Sequence, residues 1–133
     1  MKLVICGSMS FAKEMKETQV LLEAQGHTVF VPRNLNDFLN GTPAREKKEL
    51  KIQHDVFKDY FNEIRNSDGV LVLNYEKKGV PGYVGVNALI EMAFAYVQNK
   101  KIFLLNQIPE MDYSDEIEAL TPTILNGDLS SLT

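Results

Sequence analysis

Three short, unbroken apolar runs punctuate the chain, at Leu3–Cys6, Val70–Leu73 and Ile102–Leu105, and each stops at a glycine or an asparagine: Gly7, Asn74 and Asn106. A run without apolar–polar alternation suits a strand covered on both faces. Between the runs lie segments of helical length with helical apolar spacing. Strand and helix therefore alternate, which predicts a parallel sheet with helices on both sides.

Element by element, strand one ends at Cys6, and a helix follows from about Phe11 to Gln25, with Phe11, Met15 and Leu22 on one face and Leu21 at its border. Gly26 suits the left-handed residue that ends a helix. Strand two is Thr28 to Val31, closed by Pro32. The polar stretch Arg33 to Thr42 reads as a surface loop or lid. A long helix is expected from Pro43, a residue suited to a first helical turn, to Asn66, with Leu50, Phe57, Phe61 and Ile64 inward. Strand three is Gly69 to Asn74, followed by a glycine-bearing loop from Tyr75 to Val84 and a helix from Gly85 to Gln98. Strand four is Ile102 to Leu105, then a short helix near Ser114 to Leu120 and a last strand at Thr123–Leu125. All 133 residues fit one domain. The expected fold is a flavodoxin-like, doubly wound α/β sheet of five strands in order 2-1-3-4-5, the crossovers being right-handed.

In such sheets a ligand lies beyond the carboxyl ends of the strands, where the strand order reverses. The expected site is thus between Gly7–Ser8 and the loop after Asn74. A formal net charge of −4 argues against a nucleic-acid polymer as partner. No apolar stretch approaches membrane-spanning length, and the opening run Lys2 to Cys6 is too short for a signal-peptide core, so the cytosol is the expected location. One cysteine, Cys6, excludes an internal disulfide. It ends a buried strand and reads as packing. No His, Cys or Asp spacing suggests a metal site. His27 reads as a turn residue, His54 stands alone on a charged face, and Asp68 reads as structural at the amino end of the sheet.

The segment Val86–Val97 is apolar nearly all round and reads as a buried helix. Its strongly polar members are Asn87 and Glu91, one turn apart on a shared face. A buried carboxylate costs several kcal/mol unless it is partnered or protonated, on the order of the usual desolvation penalty. Glu91 is therefore either a nucleophile or base facing the crevice, or a structural acid satisfied by hydrogen bonds. Gly7–Ser8, leading through Met9 to Ser10, allows close backbone approach and supplies hydroxyls. Tyr83 and Gly85 lie in the glycine-bearing loop beside Glu91, and Asp59 and Tyr60 lie on the preceding helix.

Taken together, the strand ending in Cys6–Gly7–Ser8, the strand after Asp68, and the glycine-bearing loop feeding a helix with one inward Glu resemble the nucleoside 2-deoxyribosyltransferase superfamily, which includes the 2′-deoxynucleoside 5′-phosphate N-hydrolases. The resemblance spans nearly the whole chain through the order of its motifs. It implies that Glu91 is the nucleophile and that Gly7 and Ser8 line the sugar or phosphate pocket. Glu91–Met92–Ala93–Phe94–Ala95 stands where the family usually has Glu-Leu-Gly-x-Ala. The family's acid on the helix before strand three falls by spacing on Tyr60, with Asp59 adjacent. Ser10 stands near the place where the phosphate-binding hydrolases carry Arg.

The implied reaction is cleavage of an N-glycosidic bond of a nucleoside or nucleotide, by hydrolysis or by deoxyribosyl transfer. Its candidate catalytic residues are Glu91, Asp59 and Tyr60; its candidate substrate contacts are Gly7, Ser8, Ser10, Asn74, Tyr83, Gly85 and Asn87. The chemistry needs no metal or redox cofactor. Two other readings stand beside it: a nucleotide-binding or sensor module without turnover, and a relative of the lysine-decarboxylase-like phosphoribohydrolases. The latter's PGGxGTxxE signature is not matched by Pro81–Gly82–Tyr83–Val84–Gly85. A homodimer is also expected, from the surplus apolar surface of the helix bearing Phe94, Tyr96 and Val97.

Overall fold

The computed structural model describes residues 1–41 and 55–132, and in it the apolar runs form the centre of a five-stranded, wholly parallel sheet. The strands are β1 (Lys2–Cys6), β2 (Thr28–Phe30), β3 (Gly69–Val72), β4 (Lys101–Leu104) and β5 (Thr123–Ile124), in spatial order β2-β1-β3-β4-β5. This is the expected flavodoxin-like order. The helices are α1 (Ala12–Ala24), α2 (Leu35–Leu39), α3 (Val56–Arg65), α4 (Val86–Val97) and α5 (Ser114–Ala119). A single turn of 3-10 helix, Met9–Phe11, precedes α1.

Successive side chains of a strand point to opposite faces, so each apolar run is divided between two cores. Val4, Cys6, Val70, Val72, Ile102 and Leu104 face Tyr60 and Ile64 of α3 and Ala88, Met92 and Ala95 of α4. Leu3, Ile5, Leu71 and Leu73 face Met15 and Leu22 of α1 and Leu35 of α2. At the amino ends of the strands, Asp68 accepts a hydrogen bond from the Lys2 backbone N–H at 2.7 Å, and its own N–H reaches the Lys2 carbonyl at 2.8 Å. That is the structural role expected for it.

Several elements differ from the sequence reading. The stretch after Pro32 is not all loop: α2 forms there because Leu35 finds a buried place in the core. Strand three leaves the ladder after Val72, although the Leu73 N–H still reaches the Cys6 carbonyl at 2.9 Å. The part of the long helix expected from Pro43, with Leu50 and His54, lies outside the described residues; α3 itself starts at Val56, where Asp55, at φ +46°, is the N-cap and accepts from the Lys58 N–H at 3.3 Å. On α3 the buried residues are Tyr60 and Ile64, while Phe57 is exposed and Phe61 packs edge-on against Phe94 of α4. Helix α4 is not buried all round. Val86 and Val97 are 60% and 68% exposed, because only the face through Ala88, Glu91, Met92 and Ala95 meets the sheet.

Candidate functional site

Helix α4 starts at the carboxyl end of the sheet and runs back along it. Glu91 is five residues in from Val86, about 7.5 Å along the axis at the usual rise. That depth brings its carboxylate to Cys6, the last residue of β1. Glu91 is only 6% exposed. The Cys6 thiol is in hydrogen-bonding contact with it, and the thiol pKa is pushed well up, chiefly by burial and then by the Glu91 charge and that hydrogen bond. Cys6 therefore stays a neutral thiol, its Sγ 3.9 Å from the Val4 carbonyl oxygen. Tyr60 completes the group from α3. Its hydroxyl donates to the Ile5 carbonyl at 3.2 Å. Its pKa is also raised well above the usual phenol range, first by burial and then by the nearby charge of Glu91. Three elements, β1, α3 and α4, thus place a carboxylate, a thiol and a phenol together at the β1 strand end.

Asp59 and Tyr60 are neighbours in sequence but about 100° apart around a helix, and they part company here. Asp59 turns toward the end of β2, where Arg33 grips it with Nε at 2.7 Å and a second guanidinium nitrogen at 2.8 Å. The same Arg33 reaches Glu63 at 3.2 Å and lies over the Phe30 ring. The guanidinium pKa is raised further, mainly by its hydrogen bond to Asp59.

The turn after β1 needs Gly7: its φ is +149°, and a Cβ there would approach the Leu73 carbonyl oxygen within 3.2 Å. Ser8 follows. Its hydroxyl caps the next turn by accepting from the Ser10 N–H at 3.3 Å and pairs with the Ser10 hydroxyl at 2.8 Å. Lys77, from the loop after β3, donates to the same Ser8 oxygen at 2.7 Å. Its ammonium also lies 5.4 Å from the centre of the Tyr83 ring, and the Tyr83 ring in turn lies against Gly85. Ser8, Ser10, Tyr83 and Gly85 are thereby brought into one neighbourhood. Asn87 is half-buried one turn before Glu91.

Asn74 is fully buried, and both ends of its amide are engaged by backbone. Its nitrogen donates to the carbonyls of Gly82, Asn106 and Gln107 at 3.3, 3.0 and 3.1 Å, and its oxygen accepts from the Asn106 N–H at 2.8 Å. It joins the loops that follow β3 and β4. Gly82 sits in that junction with φ +71°, and a Cβ there would collide with the Gln107 carbonyl oxygen.

Two features escaped the sequence reading. Lys77 had no motif to mark it, and only its place after a central strand hinted at the site. Cys6 packs in the core as read, and only its nearness to Glu91 went unseen, because the two lie on elements far apart in sequence. Among the described residues no group of His, Cys, Asp and Glu has the arrangement to hold a metal ion, and no helix is long and apolar enough to cross a membrane.

The class these observations define is an open, doubly wound α/β domain with polar side chains gathered at the switch point between β1 and β3. Among solved structures, the chain is similar to a 2-deoxyribosyltransferase from the psychrotolerant bacterium Bacillus psychrosaccharolyticus, a biocatalyst for nucleoside synthesis. The TM-score is 0.58 and the identity 21%, over 79% of this chain and 72% of that one. At that identity the likeness is one of fold. No family model and no curated protein matches the chain.

Proposed function

We propose that this protein cleaves the N-glycosidic bond of a nucleoside or nucleotide through Glu91, as a cytosolic enzyme of the nucleoside 2-deoxyribosyltransferase kind. The observation that carries the reading is the buried Glu91 carboxylate beside Cys6, at the carboxyl end of β1. The shared fold with a 2-deoxyribosyltransferase supports it.

In this mechanism a Glu91 oxygen attacks the anomeric carbon. The bond from that carbon to the base nitrogen breaks, its electron pair leaves with the base, and the base takes up a proton. The oxocarbenium-like state between is stabilised by the carboxylate, and a glycosyl ester results. Water, or the nitrogen of a second base, then attacks the same carbon and returns the carboxylate. Two displacements keep the anomeric configuration. Cys6 and Tyr60 hold the carboxylate and its surroundings in place, while Gly7, Ser8, Tyr83, Gly85 and Asn87 line the substrate side. Asn74 acts one layer back, by fixing the loops.

Glu91→Gln keeps the shape and removes the negative charge. Base release from a panel of nucleosides and nucleotides should fall by about a thousandfold or more, as for other covalent nucleophiles, with binding retained. Wild-type turnover that Glu91→Gln leaves unchanged overturns the assignment. The engagement of Asp59 by Arg33 favours a second reading, a nucleotide-binding module without turnover, since it ties up the candidate acid for leaving-group protonation. Binding of nucleotides with no base release from any of them would establish that reading instead.

The protein also pairs as a homodimer through the exposed side of α4, where Val86, Tyr96 and Val97 leave apolar surface uncovered.

A further inference from the structure

The amino end of the sheet, opposite the Gly7–Ser8 turn, carries a second cavity. It holds about 560 Å³, within the usual range for small-molecule pockets, where α4 ends, β4 starts and α5 gives way to β5. Lys100 and Lys101 bring two ammonium groups to its wall, and Thr121 and Thr123 bring hydroxyls. None of the residues lining it is acidic. In a chain of formal net charge −4 that is a local reversal of sign. Among the described residues, neither ammonium forms an ion pair and neither threonine hydroxyl a hydrogen bond. The hydroxyl of Ser131, also on the wall, spends its proton on the Asp128 carbonyl at 2.8 Å.

Lysines just beyond a helix end commonly offset its dipole. Two helices, α4 and α5, end at this cavity, and each end carries about half a negative charge. The backbone already caps both: the Lys100 N–H reaches the Ala95 carbonyl at 2.9 Å, and the Thr121 N–H the Glu118 carbonyl at 3.0 Å. Two ammoniums therefore leave a surplus of about one positive charge. Thr121 is held at a cost. Its φ is +50°, a left-handed conformation that a β-branched residue rarely adopts and a glycine takes freely. Glycine would end α5 without strain, whereas threonine keeps a hydroxyl on the cavity wall. The rest of the wall is apolar, with the Tyr96 ring, 49% exposed, and the half-buried Phe103 and Leu120.

We propose that this cavity is a second binding site, for a small organic oxyanion: a phosphate or carboxylate head on a flat apolar body. The head takes the two ammoniums and the threonine hydroxyls, and the body lies on Tyr96 and Phe103. A neutral ligand would leave the surplus charge unmatched, and a cation would be repelled by it. The site is at the other end of the sheet from Ser8, so its ligand is not the molecule on which Glu91 acts, and it does not depend on the N-glycosidic reading. Tyr96 also belongs to the face proposed for the homodimer, which puts the bound anion at the rim of that interface.

The test titrates the isotope-labelled protein with phenyl phosphate and with benzoate, following the backbone amide resonances of Lys101, Thr121 and Thr123. Phenol, and sodium chloride at matched ionic strength, are the controls. At least one anion should give saturable shifts at those amides that neither control gives, and the tighter of the two identifies the head group. Changing Lys100→Gln and Lys101→Gln together should weaken that binding about tenfold or more, the range of a lost charge-assisted contact. Thr121→Gly should weaken it about fivefold, the range of one hydrogen bond. That change relieves the left-handed backbone, so the melting temperature should not fall, and weaker binding is then not a loss of fold. Absence of saturable shifts at these amides, equal shifts from a control, or unchanged affinity in either variant would overturn the site.

Discussion

Cys6 and Tyr60 keep their protons in the folded protein because burial and the Glu91 charge both disfavour a second anion beside it. The consequence is a pH dependence of stability with a definite sign. In the unfolded chain the thiol ionises from about pH 8.5 and the phenol from about pH 10. Across the interval from those values up to the raised folded ones, the unfolded state binds fewer protons, so stability falls as pH rises. Below that interval the contribution is fully present. Thermal melts between pH 7 and 10.5 should show a steepening loss above about pH 9 that Cys6→Ala flattens. The same burial predicts that iodoacetamide at pH 8 leaves native Cys6 unmodified and reacts with it once the protein is denatured. At Tyr60, the change to Phe removes the bond to the Ile5 carbonyl. It should cost about 1 kcal/mol in denaturant titrations.

The ends of elements carry the contacts that shape the site, and they are not equally strong. Arg33 joins the end of β2 to α3 through Asp59 and Glu63. Its side chain is 64% exposed, so solvent screens the pair, and Arg33→Ala should lower stability by no more than about 1 kcal/mol. Asn74 joins the loops after β3 and β4 from a fully buried position. Asn74→Ala strands the Asn106 N–H without its side-chain partner and should cost on the order of 3 kcal/mol, read as a lower denaturation midpoint. Gly82→Ala strikes the same junction from the other side, by its positive φ and by the Gln107 carbonyl. It should destabilise to a similar degree. These elements also mark the reach of pattern reading. Asn74 was visible as the end of an apolar run, but its partners come from the loop around Gly82 and from Asn106–Gln107. Hydrogen bonds across such separations leave no periodicity. The split between Asp59 and Tyr60 was hidden for a related reason: helical phase is set by which face docks, and docking is a tertiary event.

For the molecule as a whole, the proposed assembly runs through α4. One side of it completes the core, and the other presents Val86, Tyr96 and Val97 to solvent. A two-fold partner would cover that side. Light scattering at high micromolar concentration should give twice the monomer mass, and Val97→Glu should shift it toward monomer with the thermal midpoint measured in parallel. A wild-type monomer at that concentration would remove the dimer.

Local pattern was enough to determine the parallel sheet, its order and its two helical layers, because continuous apolar runs separated by amphipathic segments have few other ways to bury themselves. It also singled out Glu91, since a carboxylate in an apolar helix is conspicuous wherever that helix goes. Only the tertiary structure decided what Glu91 meets, that Asp59 belongs to Arg33 rather than to the Glu91 group, and that Lys77 comes to Ser8 across sixty-nine residues of chain. The physical reason is the same in each case. Burial follows from composition along a segment, whereas the direction and partner of a polar side chain depend on which strand ends the fold sets side by side.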